Sequence, residues 1–177
     1  MSKTINRVMS FAILMMAVSS SAFADAYVDA GLPFLEIRDS SRQAEAWAVC
    51  AASYDIMSTI MEPRSPARAQ QLSGLADGAQ LAVGMALVIN ELEADIPMER
   101  FRRLWASSAA AMTEWPQARL TSILADADKL GIERADEFGR KINATVVACM
   151  SNLEAQRMYI DAWRELVDSG LLELPGG

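Results

Sequence analysis

Two cysteines and no histidine set the chemistry open to this 177-residue chain. Without an imidazole there is no Ser-His-Asp or Cys-His nucleophile, no His-held zinc or haem, and no Glu-x-x-His di-iron site. Cys50 and Cys149 are too few for an all-cysteine zinc or iron–sulfur centre. No C-x-x-C pair occurs, so a thioredoxin-type redox motif is absent. What the two sulfurs can do is pair with each other. In an oxidising compartment they form a disulfide, whereas in the cytosol they stay as buried thiols. The bond closes a loop of about 100 residues, worth ~4–5 kcal/mol on the chain-entropy account.

Oxygen and thioether ligands offer less. Asp126-Ala127-Asp128-Lys129-Leu130-Gly131 with Glu137 partly resembles a calcium-binding EF-hand loop, with acids at positions one, three and twelve and glycine at six. Leu130 stands where a fifth-position oxygen is required, and Glu133 where an apolar residue is usual. The competing reading is a helix that stops at Gly131 and a new helix with acids in its first turn. Met57 and Met61, with Met85, Met150 and Met158, supply thioethers that suit Cu(I), but such residues more often fill core gaps. Arg100, Arg102 and Arg103 form the one basic cluster, a dock for an acidic group or a solvated face pairing with Glu99. Many acids are present, Glu91, Glu93 and Asp95 among them, but no spacing selects two for hydrolysis. We therefore expect no catalytic residue, no metal and no cofactor.

These residues need elements to hold them, and every element reads as helix. Residues 25–39, with Gly31 and Pro33, form an N-terminal arm with a short helical turn. A first helix spans about 42–61, with Ser40 and Gln43 as a capping box and Pro63 beyond its end. Gln43, Trp47, Cys50, Tyr54, Met57 and Met61 draw a stripe along it at steps of four and three. A second helix opens at Ser65-Pro66 and runs to about residue 93. A third begins near Pro97 on the stripe Phe101, Trp105, Ser108, Met112 and Trp115, then bends or restarts at Pro116 and ends at Gly131. Residues 132–169 carry a last stripe: Ile142, Val146, Cys149, Leu153, Gln156, Ile160, Trp163 and Val167. It is one helix or two, with Gly139 as the candidate divider. Period-two alternation of β-branched residues is missing throughout. The fold class is all-α: a four-to-five-helix antiparallel bundle stapled by Cys50–Cys149, with a bundle over 40–170 and a tail over 171–177.

The second helix is the unusual one. Gly74, Gly78, Ala82 and Ala86 repeat every four residues as a ridge with almost no side chain, while Leu72, Ala76, Ala79, Val83 and Leu87 make the opposite side apolar too. A helix apolar all round is either central in its bundle or shows one face to a protein partner, a second copy or a ligand. On the second reading Leu72, Gly74, Ala76, Gly78, Ala79, Val83 and Leu87 line the interface or the ligand cavity.

The compartment comes from the start of the chain. Lys3 and Arg7 precede an apolar stretch over residues 8–18, and Ala22-Phe23-Ala24 makes a small-x-small cleavage site before Asp25. Residues 1–24 therefore read as a secretory signal peptide, with a core far short of the ~20 residues that span a bilayer. Residues 25–177 form one domain carrying 14 basic and 23 acidic residues. That balance disfavours nucleic acid, and no later run is long enough to cross a membrane. The sequence thus points to a periplasmic or secreted, non-catalytic module for binding or protein interaction, with a protein partner or homodimer. A carrier of a small apolar ligand in the bundle core is the alternative, and a carboxylate-only hydrolase a weaker third.

Overall fold

The computed structural model describes residues 27–28, 31–89, 91–92 and 96–172. The expected leader, residues 25–26 and 29–30 of the arm, the expected end of the second helix near residue 93 with Glu93 and Asp95, and the end of the tail lie outside these described residues. Among them are α1 (Ser40–Met61), α2 (Pro66–Ile89), α3 (Met98–Leu130), α4 (Ala135–Met150) and α5 (Leu153–Asp168), two single 3-10 turns at Phe34–Glu36 and Ile132–Arg134, and no strand. The chain is an all-α bundle of five helices, with Cys50 on α1 bonded to Cys149 on α4.

α1 begins two residues earlier than the capping-box reading predicts. Asp39, not Ser40, is its N-cap, accepting from the Arg42 amide at 2.9 Å. A carboxylate does this well because it meets both an orphan N–H and the positive helix end. Gln43 instead turns inward, donating to the Phe34 carbonyl and accepting from the Tyr159 hydroxyl, each at 2.7 Å. From Ala46 to Tyr54 every residue of α1 is buried. Five alanines at 44, 46, 48, 51 and 52 let neighbours close on it from all sides. α2, joined to α1 by the turn over residues 62–65, lies alongside it and also packs on α3 and α5. The centre of the bundle is thus an α1–α2 pair, rather than α2 alone.

α3 continues as one helix through Pro116 and does not restart there, one of the two outcomes the sequence predicts at that proline. Proline removes one i→i−4 bond, but packing holds the helix on both sides of the gap. Met112 lies against Gly84 of α2, and buried Arg119 faces Glu45 of α1 at 3.6 Å. Gly131, at φ +68°, ends the helix with its amide on the Ala127 carbonyl at 3.0 Å, in a conformation suited to glycine.

The last segment divides at Ser151-Asn152, not at Gly139. The predicted stripe survives the division: Ile142, Val146, Cys149 and Gln156 are buried, and Leu153, Ile160, Trp163 and Val167 are half-buried. Asn152 explains why the helix stops. Its Nδ2 donates to the carbonyls of Leu32 and Ala148, and its Oδ1 accepts from the Phe34 amide at 2.8 Å. The N-terminal arm is thereby strapped over the α4–α5 elbow. Phe34, fully buried, stacks edge-on against Trp47 at 4.7 Å, and Trp47 in turn meets Tyr159.

Candidate functional site

The start of α1, the end of α2, the start of α3 and the end of α5 gather at one end of the bundle. Two open clefts lie there. The first, of about 540 Å³, runs between the arm, α1 and α5 and is lined by Leu35, Ile37, Arg38, Gln43, Ile89, Met158, Tyr159 and Ala162. The second, of about 490 Å³, lies between α3 and the C-terminal turn, with Met98, Phe101, Arg102, Trp105 and Leu171 on its walls. Both volumes fall in the ~300–1,000 Å³ range of small-molecule sites. A satellite core of Val88, Phe101 and Leu172, backed by Trp163, Leu166 and Val167, ties these helix ends together.

The lining of the first cleft is mostly apolar, that of the second is as polar as it is apolar, and both stand partly in water. Leu35 is 50% exposed and Met158 55%, while Ile89, Met98 and Leu171 are exposed as well. The floor of the first cleft is polar but already satisfied, because buried Tyr159 donates to buried Gln43, which donates to Phe34. Burial pushes the Tyr159 phenol up to about 12, so it stays protonated as this donor. Each cleft carries one guanidinium and no carboxylate. Arg100 and Arg103 are engaged with Glu91 and Glu99, so the predicted basic cluster is largely a solvated pairing face from which Arg102 is left over.

No family model, curated protein or solved structure matches this chain.

The seven α2 candidates fall elsewhere than the clefts. Ala76, Gly78, Ala79 and Val83 are buried within the chain, and Leu72 and Leu87 are half-buried against the core. Gly74 is exposed with open space around it, so the predicted ridge is a packing surface at Gly78, Ala82 and Ala86 but not at Gly74. A methyl group on Gly78 would collide with the Gln156 side chain, whose Nε2 donates to the Leu75 carbonyl at 3.1 Å. Gly84, on the other side, would place a Cβ 2.6 Å from the Met112 sulfur. The side chains that a bare helix leaves room for are already in place.

The calcium reading loses its loop. Asp126 and Asp128 sit in the last turns of α3, before the chain leaves the helix at Gly131. Asp126 accepts from the Tyr27 hydroxyl at 2.6 Å and from Lys141 at 3.0 Å, which hold its carboxyl below the usual range. Glu137 is bound by Arg134 at 2.6 Å. Among the described residues no three Cys, Asp or Glu side chains converge as they would around a metal ion. These acids fasten the arm and the α3–α4 corner instead, with Lys141 also 5.2 Å from the Tyr27 ring centre.

Cys50 and Cys149 do come together. Their Cα atoms are 5.6 Å apart and both residues are fully buried, so the bond is a structural staple out of reach of passing thiols. Such a bond belongs to an oxidising compartment, outside the cytosol. One further pair was invisible in the sequence. Asp55 of α1 is raised by desolvation and by the charge of Asp77 on α2, but neither acid lines a cleft.

Proposed function

We propose that this chain is an exported, non-catalytic binding module that works through the cleft end of its bundle. The observation that carries this reading is the cluster of exposed Leu35, Ile89 and Met158 around a cleft with a buried, internally hydrogen-bonded floor. Apolar side chains held in water around a cleft suit a partner surface or ligand. Export is supported by the leader pattern of residues 1–24 and by the disulfide, which needs an oxidising space. A ligand carried in the bundle core fits less well, because Gln156 and Met112 occupy the space above Gly78 and Gly84.

The test compares wild type with Leu35→Glu and Met158→Glu, each purified from the envelope fraction and examined by native mass spectrometry. Wild type should retain a bound species that both variants lose at unchanged melting temperature. Equal retention by all three would move the binding site away from this cleft. The mass of the purified chain should also lack the first 24 residues.

A further inference from the structure

We propose that the Arg38 cleft takes an amphipathic carboxylate, an acyl chain ending in a carboxyl group; this rests on the reading of the cleft as the binding site. The walls formed by Leu35, Ile37, Ile89, Met158 and Ala162 fit the chain, since they offer apolar surface and no hydrogen-bonding group of their own. The floor adds no recognition. Gln43 and Tyr159 already satisfy each other and Phe34, so a polar head group gains nothing by entering deeply. The head group is therefore left at the rim, where Arg38 stands exposed.

Arg38 is what gives the site a sign. Other arginines also stand outside ion pairs, Arg102 among them, but Arg38 is the one basic residue on the walls of the mostly apolar cleft. Arg38 makes no ion pair among the described residues, in a chain with 23 acids to 16 bases, and no carboxylate lines its cleft. A planar guanidinium presents paired N–H donors that match a carboxylate. An unpaired fork at the mouth of an apolar cleft selects an anion with an apolar tail over a neutral or cationic molecule of the same length.

Isothermal titration of the full mature chain at pH 7.5, below micellar concentrations, distinguishes the cases. The probes are decanoate, decan-1-ol and decyltrimethylammonium. Decanoate should bind about tenfold more tightly than the alcohol, a single factor of ten in the dissociation constant, and the ammonium most weakly. Arg38→Gln should bring decanoate to the level of the alcohol and leave the alcohol unchanged. Arg102→Gln removes the same charge from the neighbouring cleft and should change neither. Met158→Glu should weaken acid and alcohol together. If acid and alcohol bind wild type equally, or Arg38→Gln leaves decanoate unaffected, the carboxylate assignment fails while the cleft stands. If none of the three probes binds, the acyl-chain assignment is overturned, and the envelope comparison with Leu35→Glu then decides whether the cleft serves a protein.

Discussion

Single residues in this protein are set against each other by pH in a way that gives a sharp test. Asp55 holds its proton more tightly in the folded chain than a solvated carboxyl does, because burial and the Asp77 charge both disfavour its ionised form. A raised folded-state affinity means that the folded state binds more protons than the unfolded one. The stability it contributes is present below 3.8 and is lost as pH rises through the folded value. Asp55→Asn should therefore leave stability unchanged at pH 3 and raise it at pH 7 by about 0.5 kcal/mol, the scale of a solvated like-charge pair. Chemical denaturation of both proteins at the two pH values checks this; an equal effect at both would exclude charge as the cause. Asp126 has the opposite sign. Its hydrogen bonds from Tyr27 and Lys141 favour the ionised form, so what it contributes is lost as pH falls below 3.8. Acid should loosen the arm while it relieves the α1–α2 pair.

At the scale of elements, the stripes were legible and the corners were not. Spacing of three and four placed Cys50 and Cys149 on core faces because helix periodicity is a property of each segment alone. It also placed Gln156 among apolar residues, but could not show that a bare Gly78 opposite makes room for it. The sequence leaves open whether the last segment is one helix or two, with Gly139 as a candidate divider on backbone freedom; the break occurs at Asn152, on hydrogen bonding to a segment about 120 residues away. A long-range partner leaves no local signal. The same reason hides both clefts, which are built from helix ends distant in sequence. Asn152 also yields a prediction. Asn152→Ala would leave the buried Phe34 amide without an acceptor, at a cost of about 1–3 kcal/mol for that group alone. Melting temperature should fall, and limited proteolysis should cut residues 31–39 first. Asn152→Asp keeps the acceptor and loses the donors to Leu32 and Ala148, so it should fall between alanine and wild type.

For the molecule as a whole, the question is what makes a small, alanine-rich bundle stay shut. Its two central helices bring mostly small side chains to their contact, so close approach replaces bulk, and the larger buried groups lie around Phe34, Trp47, Tyr54 and Tyr159. The arm that covers this aromatic centre belongs to the start of the chain, while its anchor Asn152 and the second cysteine belong to the end. The Cys50–Cys149 bond keeps those distant segments near one another even when the chain opens. Closing a loop of 99 residues should contribute ~4–5 kcal/mol by restricting the unfolded state. For a chain of this length ~1 kcal/mol corresponds to roughly 2–4 °C, so the Cys50→Ala/Cys149→Ala double variant should melt about 10–20 °C below wild type. Far-ultraviolet circular dichroism should show the same helix content for both at low temperature, since the helices are packed on each other with or without sulfur. Because the bond is fully buried, a mild reductant should leave native protein unchanged and act only under partly denaturing conditions. A double variant as stable as wild type would mean that packing at the α1–α4 contact alone keeps the chain closed. The need for an oxidising compartment would then lose its physical basis.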